Sequence, residues 1–251
     1  MIEIRNLCVD YKEGRAIDNL NLDIQSGKLT VLAAPNGGGK STLLKTICGL
    51  IEKTEGSILI DGKDTAAMSR QERAKKTAYM LQTRNTPNIQ AKRMVLHGRF
   101  PYLSYPRKYG KKDYEIAAEA MEKADVKKLA DSFLPELSGG ERQRVYLAMT
   151  LAQDTEIVLM DEPMNFLDVK HQLELLELAK KLAAEGRTVV MVIHDIRIAM
   201  QEADELVILN GGSLAAAGTP DEILKAGIIK KVFGADIGFV ETGAGRRFYY
   251  I

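Results

Sequence analysis

Cysteine is scarce in this chain, whose 251 residues include only Cys8 and Cys48. Two isolated thiols are too few for a disulfide framework or a zinc site and suit a reducing compartment, so both read as small buried side chains. Net charge is nearly absent as well. The 35 Lys and Arg residues stand against 34 Asp and Glu, a formal charge of +1, which supplies no global field for nucleic acid or an anionic membrane. Long apolar runs are missing. Nothing approaches the roughly 18 consecutive apolar residues of a membrane span, since the best stretches, such as Thr188 to Ile193, are of strand length. The start, Met1-Ile2-Glu3-Ile4-Arg5-Asn6, has no apolar core of a signal peptide. These absences predict a cytosolic protein without a nucleic-acid partner, in which any membrane role comes through another subunit. Internal repeats and low-complexity linkers are lacking too, and the length suffices for one α/β domain carrying a sizeable insertion.

The patterning that is present is mixed. From Met1 to about Ile60, short alternating runs (Ile2-Ile4, Leu20-Leu22-Ile24, Ile58-Ile60) are broken by turns at Gly14, Ser26-Gly27 and Asp61-Gly62, which predicts an antiparallel, half-exposed sheet. Leu29 to Ala34 differs, being apolar throughout except for Thr30, and leads through a glycine-rich turn into a helical pattern from Ser41 to Leu50. Ile157 to Met160 and Val189 to Ile193 are two further apolar runs flanked by helical stretches, as buried parallel strands are. Between about Thr83 and Gln153 the β signals fade, and Asp113 to Ala130 and Glu141 to Ala152 carry apolar residues at helical spacing. The expectation is a single domain, 1–251, with a helical subdomain, 83–153, inserted in an α/β core. After Pro220 come one short helix, Asp221 to Val232, and two β-like runs, Ile237 to Val240 and Phe248 to Ile251.

Three segments carry chemistry. Pro35-Asn36-Gly37-Gly38-Gly39-Lys40-Ser41-Thr42 follows a buried strand and opens a helix, the context of a phosphate-binding loop. Its glycines let backbone N–H groups converge on phosphate, the helix N-terminus adds partial positive charge, Lys40 reaches the β and γ phosphates, and the Ser41 hydroxyl can ligate Mg²⁺. An ordinary glycine-rich turn would not need Lys-Ser at this offset. Ala34 stands where the G-x-x-x-x-G-K-S pattern has its first glycine; if that position requires positive φ, alanine costs about 1 kcal/mol. Ile157 to Met160 delivers Asp161 and Glu162 at its carboxyl end, where ligands bind in open α/β sheets. Asp161 is suited to the Mg²⁺ shell and Glu162 to accepting a proton from an attacking water, although a solvated acidic strand end has the same sequence. Leu137-Ser138-Gly139-Gly140-Glu141-Arg142-Gln143 contains a helix capping box, Ser138 with Glu141. A cap needs no Gly-Gly, however, and two glycines leave the helix N-terminus open to an anion.

With these residues in order, the sequence resembles the ABC ATPase family over essentially its whole length. The resemblance implies an α/β P-loop NTPase core with an antiparallel β subdomain and an inserted helical subdomain. It also implies ATP and Mg²⁺ as ligands, and a head-to-tail dimer in which Ser138, Gly139 and Gly140 of one copy contact nucleotide bound by the other. Tyr11 looks like the aromatic that stacks on adenine, Gln82 like the Q-loop ligand of Mg²⁺ beside Ser41 and Asp161, Leu167-Asp168 like the D-loop, and His194 like the switch histidine. Taken singly, Tyr11 is equally a strand-edge aromatic, Gln82 a polar strand end and His194 a hydrogen-bonded structural group. Met164 replaces the family's usual Thr or Ser, and Leu81 the Pro common before the Q-loop glutamine.

Gly98-Arg99-Phe100-Pro101-Tyr102 resembles a segment of the ATPases that serve bacterial importers of iron-siderophores, haem and cobalamin, in a region that faces the permease. This implies integral membrane permease subunits and an extracytoplasmic substrate-binding protein as partners. A solvated basic face formed by Arg99, Arg107, Lys108, Lys111 and Lys112 is the plainer reading. The competing class is a soluble ABC ATPase of DNA repair, translation or iron–sulfur assembly. Against it stand the missing heptad insertion between Gln82 and Ser138, the single ATPase module, and the presence of Gly98 to Pro101. A small-molecule kinase would have no use for Leu137 to Gly140.

Overall fold

The computed structural model describes residues 1–80, 86–243 and 245–251. The chain begins with β1 (Ile2–Tyr11), β2 (Gly14–Ile24), β3 (Leu29–Ala33), α1 (Lys40–Ile47), β4 (Glu55–Ile60), β5 (Lys63–Asp64), α2 (Arg70–Lys76) and β6 (Thr77–Met80). Three helices follow, α3 (Ala91–Leu96), α4 (Lys111–Lys123) and α5 (Gly139–Ala152). It then returns through β7 (Ile157–Met160), α6 (Val169–Ala184), β8 (Thr188–Val192), α7 (Ile196–Glu202), β9 (Glu205–Asn210) and β10 (Ser213–Gly218). The tail holds α8 (Pro220–Lys225), α9 (Ile228–Phe233) and a hairpin of β11 (Ile237–Thr242) and β12 (Gly245–Tyr250).

The alternating N-terminal runs form an antiparallel sheet of order β2-β1-β4-β5, and the continuous apolar runs form the centre of a second sheet, β10-β9-β3-β8-β7-β6. In that second sheet β9, β3, β8, β7 and β6 run parallel, with β10 added antiparallel at the edge. All residues of β3, β7 and β8 are buried because both faces are covered. Successive side chains divide between two cores. Leu29, Val31, Val158, Met160, Val189 and Met191 pack toward the helices, whereas Leu32, Ile157, Leu159, Val190 and Val192 pack toward α1 and the antiparallel sheet.

Register decides where the site forms. Leu32 pairs with Val192, Met191 with Met160, and Met160 with Met80, so the carboxyl ends of β3, β8, β7 and β6 lie level. The residues that follow them, Ala34 onward, His194 and Asp161-Glu162, therefore emerge side by side on one edge.

The structure departs from the sequence reading in the tail and in the Gly98–Tyr102 segment. Asp221 to Val232 is two helices, because Gly227 turns left-handed at φ 64° between α8 and α9. Arg99 belongs to no solvated face. It is 5% exposed, its Nε donates to Asp113 Oδ1 at 3.0 Å, one Nη donates to the Ala152 carbonyl at 3.0 Å, and its guanidinium lies 3.9 Å from the Tyr102 ring centroid. It thereby ties the 97–102 turn to the start of α4 and the end of α5, while Arg107, Lys108, Lys111 and Lys112 are exposed. Removing one partner of a buried ion pair leaves the other charge uncompensated. Arg99→Ala is therefore expected to lower stability by about 3 kcal/mol, read from the midpoint of urea unfolding; a shift of a few tenths would rule out this strut.

Candidate functional site

The loop after β3 is shaped by close approach. A methyl group added at Gly38 would sit 2.6 Å from the Ala34 methyl, and one added at Gly39, where φ is 90°, would meet the Ile17 side chain at 2.6 Å and the Ala16 carbonyl at 2.8 Å. Ala34 itself is buried and is not among the residues of positive φ. The strain considered for alanine at that position does not arise, and its methyl packs in the core under the antiparallel sheet. Gly39 starts α1 with no side-chain cap and no acidic residue in the first turn, leaving the dipole's positive end to the loop.

Lys40 is buried and its Nζ donates to the Ala34 carbonyl at 2.8 Å and the Pro35 carbonyl at 3.2 Å. Burial lowers its pKa, while the charges of Glu162 and Asp161 pull in the opposite direction. The lysine and both carboxylates of the β7 end thus share one electrostatic environment. Tyr11, exposed at the end of β1, shares a 3.3 Å hydrogen bond between its hydroxyl and Thr42 Oγ1. Its ring therefore stands at the first turn of α1, although it is remote in sequence from the loop.

Asp161 and Glu162 emerge from the same strand into different surroundings. Asp161 is 2% exposed; its Oδ2 accepts from the Tyr79 hydroxyl at 2.8 Å, and its buried Oδ1 has no hydrogen-bond partner among the described residues. Burial, and then the Asp161 charge, push the Tyr79 phenol up, so the tyrosine keeps its proton and donates. Glu162 adopts φ 52°, a left-handed conformation that costs a non-glycine residue about 1 kcal/mol or more. Its carboxylate is gripped from both sides, with His194 Nε2 2.6 Å from Oε1 and Asn165 Nδ2 donating to Oε2 at 2.8 Å. His194 follows β8, the neighbour of β7, which accounts for the meeting of two residues 32 positions apart in the numbering.

Among the described residues no group of three or more His, Cys, Asp and Glu is arranged to hold a metal. A Mg²⁺ site of one carboxylate, one hydroxyl and nucleotide phosphates needs no such group. The unpaired, buried Asp161 Oδ1 beside the loop of Lys40 and Ser41 fits that kind of shell. Gln82, the remaining candidate ligand, lies outside the described residues.

The signature residues stand apart from this cluster, and no hydrogen bond joins Ser138, Gly139 or Gly140 to residues 34–42 among the described residues. Ser138 caps α5: its Oγ accepts from the Glu141 amide at 3.3 Å and its own amide donates to Glu141 Oε2 at 2.9 Å. The Ser138 hydroxyl, donating to Glu141 Oε2 at 2.7 Å, and then the Ser138 amide hold the Glu141 carboxyl below its ordinary range. Gly139 and Gly140 lie under Phe166, with an added methyl at Gly139 falling 3.3 Å from the Phe166 Cβ. The connecting segment is anchored by Gln143, which donates to the Pro163 carbonyl at 3.2 Å, and by Gln172, which donates to the Leu167 carbonyl at 3.1 Å. Leu167 is buried, and Asp168 caps α6 by accepting from the His171 amide at 3.0 Å. The segment from Glu162 to Asp168 therefore physically joins the carboxylate end of β7 to the signature helix. Met164 contributes an apolar side chain to the helical core and its carbonyl to the turn, accepting from the Leu167 amide at 3.2 Å.

The profile of the family described as ABC transporter matches residues 17–165. The chain belongs to the ABC transporter family. It is an ATPase subunit of that family, with the family's nucleotide-binding fold. The achromobactin transport ATP-binding protein CbrD of Dickeya dadantii is 39% identical over 241 residues, 95% of this chain and 90% of that protein. The petrobactin import ATP-binding protein FpuD of Bacillus anthracis is 37% identical over 234 residues, 92% of this chain and 86% of that protein. Among solved structures, the dimeric post-hydrolysis state of the ATP-binding cassette MJ0796 bound to ADP and Pi matches with a TM-score of 0.78 and 31% identity, covering 88% of this chain and 99% of that one.

Sequence reasoning missed Tyr79, Asn165 and Gln143. Asn165, three residues beyond Glu162, was within reach of a turn argument; Tyr79 stands in a four-residue strand too short to show a period.

Proposed function

We propose that this ABC subunit hydrolyses ATP to drive uptake of a metal chelate of the iron-siderophore, haem or cobalamin kind. In this reading it works from the cytoplasmic face of the membrane, bound to integral permease subunits that receive cargo from an extracytoplasmic binding protein. Two copies meet head to tail, and Ser138, Gly139 and Gly140 of each complete the nucleotide site of the other. Two observations support the location: among the described residues no helix is long and apolar enough to cross a membrane, and the relatives named above are transport and import ATP-binding proteins. In the same reading the chain is a single domain, 1–251, whose expected insertion, 83–153, carries α3, α4 and α5 in its described part.

Within the site, Tyr11 stacks on adenine, the amides of Asn36 to Thr42 receive the phosphates, and Lys40 neutralises the β and γ phosphate oxygens. Ser41, Gln82 and Asp161 would hold Mg²⁺, which neutralises phosphate charge when bound. Glu162 accepts the proton of the attacking water, and His194 holds both the carboxylate and the γ-phosphate end. The pairing of Glu162 with His194 at 2.6 Å, at the same sheet edge as the loop, is the observation that carries this reading.

His194→Ala is expected to lower phosphate release by about two orders of magnitude with the KM for ATP changed only a few-fold; equal turnover removes histidine from the chemistry. For transport, the chain is reconstituted with a permease that copurifies with it, and ATP-dependent accumulation of ferric siderophore in proteoliposomes is measured. ATP-independent accumulation, or failure of the subunit to copurify with any permease, overturns the importer.

A further inference from the structure

We infer that Tyr79 is a positioning residue for divalent metal at this site, acting through Asp161; the inference rests on the proposed role of Asp161 as a metal ligand. Two facts carry it. Asp161 is 2% exposed, so its carboxylate has no bulk water to solvate it, and within that enclosure its two oxygens are differentiated. Oδ2 accepts the Tyr79 hydroxyl at 2.8 Å, whereas Oδ1 has no hydrogen-bond partner among the described residues.

A buried carboxylate with one oxygen satisfied and the other spare is an acceptor with a fixed direction. The hydroxyl of Tyr79 fixes the side-chain torsion and leaves Oδ1 as the oxygen available to a cation, in the manner of groups that orient a metal ligand from behind. Tyr79 is itself well held. β6 pairs with β7 so that Tyr79 faces Leu159, two residues before Asp161, and the Asp161 amide donates to the Met80 carbonyl at 3.2 Å. Both the ring and the carboxylate are therefore set by the same strand pair, with little freedom between them. The Tyr79 ring also packs against the core shared with α1, the helix that begins at Lys40 and contains Ser41. The residue thus borders the core that backs α1 and is bonded directly to Asp161.

The test uses the full chain and its Tyr79→Phe variant, which keeps the ring and removes only the donor. Binding of a fluorescent ATP analogue is titrated with Mg²⁺ and repeated in EDTA, and bound Mn²⁺ is counted by electron paramagnetic resonance in the presence of ATP. Loss of an outer partner of a metal ligand commonly weakens the metal about tenfold or more. The expected result is a half-saturating Mg²⁺ or Mn²⁺ concentration raised about tenfold, with affinity for metal-free ATP unchanged. Identical metal dependence in the variant and wild type overturns the inference while leaving Asp161 as a ligand. An equal loss of metal-free ATP affinity also overturns it, since it would mean a loosened site. If Asp161→Ala shows the same metal dependence as wild type, the role of Asp161 falls, and that of Tyr79 with it.

Discussion

Glu162→Gln is expected to abolish most ATP turnover, by about two to four orders of magnitude, while ATP still binds and the proposed dimer accumulates. The amide is nearly the same size as the carboxylate and keeps an oxygen that accepts hydrogen bonds. The grip of His194 Nε2 on one oxygen and Asn165 Nδ2 on the other, at 2.6 and 2.8 Å, is preserved at one of them at least. Left-handed backbone at residue 162 is set by the turn and does not depend on the charge. What disappears is basicity: an amide does not take a proton from water. In the proposed sandwich, hydrolysis is the step that releases the nucleotide-sealed dimer, so a subunit that binds without hydrolysing is expected to stay paired. Phosphate release in a single turnover gives the rate, and size-exclusion chromatography with and without ATP gives the assembly. Wild-type turnover in this variant would remove Glu162 from the role of base, and a monomer in saturating ATP would argue against the sandwich.

How far the sequence reveals the site depends on how local each feature is. β3, β7 and β8 are legible because burial on both faces forces uninterrupted apolar runs, and the residues just after such strands in a parallel sheet have one possible destination, the carboxyl edge. Lys40, Asp161 and His194 could thus be grouped before any coordinates. The capping box of Ser138 and Glu141 is equally local and forms as its spacing dictates. Tyr79 is not local: its partner is 82 positions away, and the contact exists only because β6 and β7 pair in one particular register. The same holds for Arg99, which looks like a member of a basic surface run until α4 and α5 close over it with Asp113 and the Ala152 carbonyl. Charge patterning reports composition along the chain, whereas burial is decided by which helices meet.

The segment between the carboxyl edge of the parallel sheet and α5 is braced from both sides. Glu162 and Phe166 both have positive φ, and in the same turn Pro163 is held by Gln143 of α5 and Leu167, just after Phe166, by Gln172 of α6. A turn with two left-handed non-glycine residues persists only where its surroundings overdetermine it. Here the surroundings are the two helices that carry Ser138 at one end and Asp168 at the other. Movement of the signature helix would therefore be felt at Glu162 through a short, hydrogen-bonded path, as proposed for a dimer in which each copy completes the other's site.

Lys40→Ala is expected to weaken ATP binding at least thirtyfold, because truncating one member of a buried, hydrogen-bonded charge pair costs about 2 to 5 kcal/mol, and about 1.4 kcal/mol is a factor of ten. Two effects compete at this position. Loss of the ammonium removes the group that meets phosphate charge and leaves Asp161 and Glu162 without the cation that shares their surroundings. It also frees the Ala34 and Pro35 carbonyls, which Nζ binds at 2.8 and 3.2 Å, so part of any loss could come from a loop that changes shape. Lys40→Arg separates the two. The guanidinium keeps the charge, yet its planar fork does not replace a compact ammonium between two carbonyls, so it is expected to recover only part of the affinity. Thermal unfolding supplies the check on folding: both variants should melt close to wild type without ligand, while the rise in Tm that saturating ATP gives the wild type should vanish for Ala and shrink for Arg, since a ligand stabilises in proportion to the logarithm of its concentration over Kd. Undiminished ATP affinity in Lys40→Ala would mean that residues 34 to 42, for all their glycine and their place after β3, do not hold the phosphates.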